Sequence, residues 1–261
     1  MRNCLNICKA ALAVALTLLS INSRGEVPET VEKRSLEVSG EMLRAKAVYL
    51  RAEDVDTFCD IRINGHYVGS TGNYFRRWEW DVKPFLREGA NELQGIFHDA
   101  EAVSEERNAA LAYPVPMSGV GFVPHLNLIR KPQFQGGWDW GPKCMYTGFA
   151  GKVELIPVNT AKPDYLRCTQ DHSVKGRCTL TLVAEISSPA GGRTKVSFAV
   201  GKKVKTKTVT LVPGANTIAQ QFVIKNPALW WPAGMGEQPL YTVSVLVDGH
   251  QLQKKFGLRT L

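Results

Sequence analysis

The 261-residue chain lacks most of the short signatures by which an enzyme declares its chemistry. It has no G-x-x-x-x-G-K-[ST] loop to cradle a nucleotide phosphate, no G-x-S-x-G elbow to present a nucleophilic serine, and no H-E-x-x-H pair for a catalytic zinc. Its 6 cysteines include no C-x-x-C pair, so the ligand spacing of a structural zinc is missing as well. Neither a metal nor a cofactor is expected. Internal repeats and low-complexity tracts are absent, and runs of helical period are scarce. Beyond Ile21 no apolar stretch is long enough to cross a bilayer, so no membrane association is expected of the mature chain.

What is present belongs to a globular protein. Hydrophobic residues make up 44% and charged residues 21%, enough apolar material for a core and too little charge for a disordered chain. The N-terminus stands apart: Arg2 and Lys9 precede the apolar stretch Ala10 to Ile21, and small residues follow at Ser23 and Gly25. This layout is that of a secretory signal peptide over residues 1–25, and it points to the secretory pathway. The destination (outside the cell, a lysosome or vacuole, or a periplasm) is not encoded in it. Cys4 and Cys8 would leave with that leader. Of the remaining cysteines, Cys168 and Cys178 bracket the polar stretch Thr169 to Arg177. They read either as a disulfide across a hairpin base or as two half-buried thiols.

The net charge of +8 owes much to Lys202, Lys203, Lys205 and Lys207. In Val204–Val212 the lysines alternate with Val and Thr, which places them on an exposed strand, where they discourage edge-to-edge pairing. No aromatic residues are interleaved there, so a nucleic-acid patch is not expected.

Two regions follow the leader, 26–157 and 158–261. In the first, Cys59, Ile61 and Ile63 alternate with Asp60 and Arg62, and Asn64-Gly65 supplies the pair of positive-φ residues of a tight turn before His66–Gly69 returns. Trp78–Val82 and Leu93–Phe97 read as strands, and Ala100 to Ala112 as a helix with Glu101 near its start. From Met117 to Pro142 the chain is rich in Gly and Pro and without period, the kind of long segment that more often carries function. In the second region Leu180, Leu182, Ala184 and Ile186 alternate with Thr179, Thr181, Val183 and Glu185. Further strands are expected at Ser197–Val200, Val204–Val212, Asn216–Ile224, Tyr241–Val247 and Leu252–Gly257.

The 6 tryptophans fall into three groups, Trp78 with Trp80, Trp138 with Trp140, and Trp230 with Trp231. In Gly136-Gly137-Trp138-Asp139-Trp140-Gly141-Pro142 two indoles flank one carboxylate on a loop fixed by glycine and proline. Indole faces stack on the apolar faces of a pyranose, and a carboxylate accepts hydrogen bonds from vicinal hydroxyls, so the cluster has the parts of a sugar subsite. Read without further context, the same residues also describe a packed loop.

Arg130-Lys131-Pro132-Gln133 ahead of Gly137-Trp138-Asp139-Trp140-Gly141-Pro142 resembles a signature of the β-mannosidases of glycoside hydrolase family 2. Asp56-Thr57, Ile63-Asn64-Gly65, Asn73 to Trp78, Asp81 to Pro84, Tyr113 to Pro116, Pro227 to Pro232, Gly236 to Tyr241 and Phe256 to Thr260 resemble that family in the same order. The resemblance implies an all-β chain: a truncated jelly-roll (galactose-binding-like) sandwich, its front edge incomplete, followed by an immunoglobulin-like β-sandwich that leads to a catalytic (β/α)₈ barrel. It implies that Asp139 hydrogen-bonds a terminal mannose, with Trp138 and Trp140 shaping the loop, and that Trp230 and Trp231 pack the second domain. The family's two catalytic Glu residues belong to the barrel, which takes about 250 residues, so no carboxylate of this sequence is given a catalytic role. The implied ligand is a β-mannoside or mannose-containing oligosaccharide, and the implied partner is that barrel. Two rivals stand beside this expectation: a stand-alone carbohydrate-binding module, and an adhesion or structural sandwich whose Trp138 and Asp139 would be buried and internally bonded.

Overall fold

Alternation of apolar and polar residues organises the described residues into 17 strands and two short α-helices. The computed structural model describes residues 18–19, 29–113, 115–116 and 122–259. The expected leader lies outside the described residues except for the backbone of Leu18–Leu19, which pairs antiparallel with Thr30–Val31. Two compact units are formed, one from Met1–Arg44 with Val48–Ile156 and one from Ala45–Ala47 with Pro157–Leu261.

The first unit holds β1 (Leu18–Leu19), β2 (Thr30–Val38), β3 (Ala47–Ala52), β4 (Val55–Asp56), β5 (Phe58–Ile63), β6 (His66–Gly72), β7 (Trp78–Asp81), β8 (Gly89–Phe97), β9 (Gly148–Phe149) and β10 (Val153–Val158). They form a five-stranded sheet in the order β1-β2-β8-β5-β6, a three-stranded sheet β10-β3-β7 and the pair β4-β9. Leu50 and Ala52 of β3 are buried with Ile61 and Ile63 of β5, Leu93 and Phe97 of β8, Val55 and Phe149. Each of the larger side chains among them contributes roughly 1.5–3 kcal/mol by leaving water. The β5–β6 hairpin turns where the sequence places it, with Asn64 at φ 50° and Gly65 at φ 83°. Asn64 is also a clamp: its Nδ2 donates to Phe85 O and Asn91 Oδ1, both at 2.8 Å, while its Oδ1 accepts from Glu92 N at 2.9 Å.

β2 precedes the first strand expected from the sequence. Its inward positions include Glu32 and Arg34, which pair at 2.8 Å, and this charge hides the alternation that ends in Leu36 and Val38. Arg34 donates to Phe149 O and lies 5.0 Å over the Phe149 ring, and Glu32 accepts from Phe149 N at 3.0 Å. Two helices interrupt the strands, α1 (Gly40–Leu43) and α2 (Ala100–Ala109). α2 is capped by Asp99, whose side chain accepts from Glu101 N, and ends at Ala109, three residues short of the expected end. There Leu111 N turns back to Asn108 O, the tightening that often closes a helix.

The second unit holds β11 (Lys162–Asp171), β12 (Arg177–Ser188), β13 (Gly192–Val200), β14 (Lys203–Leu211), β15 (Gly214–Lys225), β16 (Tyr241–Val247) and β17 (His250–Phe256). A three-stranded sheet β11-β12-β15 and a four-stranded sheet β14-β13-β16-β17 enclose one core, the seven-strand arrangement of an immunoglobulin-like sandwich. Leu180, Leu182, Ala184 and Ile186 of β12 are fully buried, as their alternation implies, with Val196 and Phe198 of β13 and Val245 of β16.

The disulfide alternative for Cys168 and Cys178 is not realised: both are free thiols. Register is the reason. Cys168 lies opposite Leu182, four residues beyond Cys178 on the same strand, a separation of about 13 Å along the ladder where a disulfide tolerates at most about 7 Å between Cα atoms.

The lysine strand β14 is an edge, as expected, but its lysines do more than decorate it. Lys203, Lys205 and Lys207 lie on the face that continues into buried Leu211, and their ammonium groups donate to the carbonyls of Val223, Gln221 and Ala219. Those carbonyls belong to β15, the edge of the other sheet. Lys205 also sits 5.2 Å from the Phe222 ring centroid and Lys207 5.8 Å from that of Phe198.

Candidate functional site

Among its described residues, the segment between α2 and β9 contains two single turns of 3-10 helix, Leu126–Leu128 and Gln133–Gly136, and otherwise no helix or strand. Apolar packing holds its underside: Val123, Leu126 and Ile129 are buried against Phe58 and Ala100. Gly136 lets Leu126 pack closely there, because a Cβ would fall 2.3 Å from Leu126 Cδ2 and force that side chain to shift. Gly137 then takes φ 103°, a conformation that L side chains rarely adopt. The chain leaves the core at this point and reverses tightly: Trp138 N donates to Gly141 O and Gly141 N to Trp138 O, at 3.4 and 3.1 Å. Asp139 and Trp140 form the tip.

All three expected sugar-contact residues are therefore brought together on an exposed turn. Trp138 is 54% exposed and Trp140 83%, and Asp139 is exposed. Trp138 meets Trp140 edge-on at 5.7 Å and Phe122 edge-on at 5.6 Å. Trp138, Trp140, Gly141 and Pro142, with Phe134, Gln135, Cys144 and Tyr146, line an open hollow of about 710 Å³. None of these lining residues is acidic, and the carboxylate of Asp139 stands at the tip rather than among them. An internally satisfied structural loop would have both Trp138 and Asp139 buried, which is not the arrangement found.

The sequence reading missed the group beneath the loop. Lys131 and Asp56 have fully buried side chains, and Lys131 Nζ lies 2.5 Å from Asp56 Oδ1. The same ammonium donates to Tyr146 O at 2.5 Å. Gln135 Nε2 donates to the other carboxylate oxygen, Asp56 Oδ2, at 3.0 Å, and Gln135 Oε1 accepts from Tyr146 N at 3.1 Å. Thr57 Oγ1 donates to Asp56 Oδ1, and its carbonyl accepts from Thr71 Oγ1 at 2.7 Å. Burial pushes the Lys131 ammonium below its ordinary pKa, and the Asp56 carboxylate pulls it back toward the charged form. Burial likewise raises the Tyr146 phenol, with Glu32 adding to the effect. A signal was available: Asp56-Thr57 and Lys131 both stand in the stretches that carry the family resemblance, but sequence alone does not show that they touch.

Comparison with known proteins decides the family. A model described as "Glycosyl hydrolase 2 galactose-binding domain-like" matches residues 29–151, and one described as "Glycosyl hydrolases family 2" matches residues 165–259. The chain belongs to glycoside hydrolase family 2. It is 31% identical over 230 residues to beta-mannosidase B of Emericella nidulans, and 30% identical over 223 residues to beta-mannosidase B of Aspergillus clavatus. Each match takes in 82% of this chain and 26% of the relative. The crystal structure of a beta-D-mannosidase from Dictyoglomus thermophilum superposes with a TM-score of 0.78 at 30% identity, over 89% of this chain and 29% of that one. An exo-chitosanase from Amycolatopsis orientalis shares the fold, with a TM-score of 0.63 at 19% identity over 88% of this chain and 25% of that one. The chain thus spans about a quarter of the length of the family 2 relatives it matches, and what it aligns with is their N-terminal, non-catalytic β domains.

Proposed function

We propose that this chain is the non-catalytic front part of a β-mannosidase-like retaining glycoside hydrolase acting on terminal, non-reducing β-D-mannose, and that it supplies one wall of the mannose subsite. The observation that carries this reading is the exposed turn Trp138-Asp139-Trp140 on a buried, hydrogen-bonded base. Asp139 presents a carboxylate to vicinal hydroxyls, and Trp138 and Trp140 present the apolar surface beside it. A retaining mechanism needs two carboxyl groups about 5 Å apart, one as acid/base and one as nucleophile. The hollow beside the indoles has no carboxylate in its lining, so bond cleavage is assigned to the barrel domain of a longer polypeptide. The domain limits in this reading are a leader over residues 1–25, the galactose-binding-like domain over 26–157 and the second sandwich over 158–261. The leader directs the protein into the secretory pathway. Among the described residues no helix is long and apolar enough to cross a membrane.

With only one wall of the subsite, affinity should be weak, so saturation-transfer NMR with methyl β-D-mannoside at millimolar concentration is the suitable test. Transfer from the native chain, lost in Asp139→Ala and absent with the β-galactoside, is the expected result; no transfer from the native chain ends the sugar-contact reading. The purified chain should release no p-nitrophenol from p-nitrophenyl β-mannoside, and turnover would end the assignment of catalysis to other polypeptide.

A further inference from the structure

We propose that Lys131 is the positioning residue of the tryptophan turn, fixing the exit of the segment 135–146 to the buried carboxylate that also holds its entry. Its functional consequence rests on the mannoside reading above; its mechanical content does not.

The segment that carries Trp138, Asp139 and Trp140 begins at Gln135 and ends at Tyr146. Both ends converge on Asp56. The entry is held by Gln135 Nε2 on Asp56 Oδ2 at 3.0 Å. The exit is held through Lys131, whose ammonium spans Asp56 Oδ1 and the Tyr146 carbonyl at 2.5 Å each. The ends are also tied to each other, by Tyr146 N to Gln135 Oε1 at 3.1 Å and Cys144 N to Gln135 O at 2.9 Å. Asp56 itself is anchored in β4, which pairs with β9 through Asp56 opposite Gly148. One cation on one carboxylate therefore converts a glycine-rich excursion into a loop with a fixed base.

Charge is needed for this, because a neutral side chain of the same length could not hold two acceptors so closely in a site without water access. Both side chains are fully buried, and a buried ion pair is weak grounds for stability by itself, since replacement by apolar residues is often neutral. What such a pair supplies here is a single geometry for the segment above it. Lys131 touches none of the hollow's surface and acts only through Asp56 and Tyr146.

Amide hydrogen exchange, measured by mass spectrometry on the full chain, separates positioning from general stabilisation. In Lys131→Met, exchange across 136–146 should rise at least tenfold, while the β5 amides 58–63 change no more than in Ile61→Val, a core variant chosen for comparable loss of thermal midpoint. In Lys131→Met/Asp56→Asn the uncompensated carboxylate is gone, so the midpoint should recover while exchange across 136–146 stays fast. If loop exchange returns with the midpoint, or rises only in step with β5, Lys131 is structural and the proposal fails. Should Lys131→Met alone not fold, the double variant decides by the same comparison: exchange across 136–146 no faster than native, relative to 58–63, overturns the proposal. The sugar arm is separate: saturation transfer from methyl β-D-mannoside should fall at least fivefold in Lys131→Met. Absence of transfer from the native chain would remove the mannoside reading and leave the exchange result to decide Lys131 alone.

Discussion

The described cysteines occupy different surroundings, and their reactivity should follow. Cys144 is exposed beside the tryptophan turn, whereas Cys59 and Cys178 are buried. Burial, helped by Asp60 and Glu32, pushes the Cys59 thiol far above its ordinary value, and burial, with a smaller electrostatic contribution from Cys178, pushes Cys168 up to about 11. The thiolate is the reactive form, so a maleimide at neutral pH should modify Cys144 first among the four, as peptide mapping would show. Rapid labelling of Cys168 or Cys59 in the native chain would contradict the burial described here. The raised Cys168 value also has a sign. The unfolded chain, with its thiol near 9.0, releases its proton first, so the contribution of this group is intact below pH 9 and is lost as pH rises toward about 11. Denaturant midpoints measured across that window should fall, and a midpoint that rises would refute the assignment.

Among the elements, β14 has the most to lose. Its three inward lysines close a seam between two sheet edges by donating to the bare carbonyls of β15. Replacing all three with threonine keeps strand propensity but uncovers those carbonyls, and exposed edges recruit other strands. Concentration-dependent association, read by light scattering, is the expected outcome; a strictly monomeric triple variant would show that the lysines are incidental. Elements of this kind mark how far the sequence could be read. β12 and the β5–β6 hairpin were legible because period-2 burial and an Asn-Gly turn are local signals. β2 was not, since Glu32 and Arg34 occupy inward positions and break the apolar pattern, and their partner Phe149 lies far along the chain. At the candidate site, the tryptophans and Asp139 stood out by composition. Lys131 and Asp56 did not announce their contact, because they are 75 residues apart and meet only through the packing of β4, β9 and the loop. The Cys168–Cys178 spacing was compatible with a bridge until the hairpin register placed them on distant rungs.

For the molecule as a whole, each unit owns its core. The second sandwich buries residues from 161 to 258 against one another, so residues 157–261 expressed alone should melt cooperatively. The midpoint should lie within about 5 °C of the corresponding transition in the full chain, a shift worth roughly 1 kcal/mol in a domain of this size. Loss of cooperative melting in that fragment would show that its core depends on the rest of the chain. The first unit raises a different matter. Its aromatic turn projects into solvent, yet its base is already tied down. The conformational entropy of that excursion has been surrendered during folding, not at the moment of contact. Whatever settles against those indoles meets a rigid template, so selectivity there should depend on shape, with poorly fitting ligands rejected instead of accommodated.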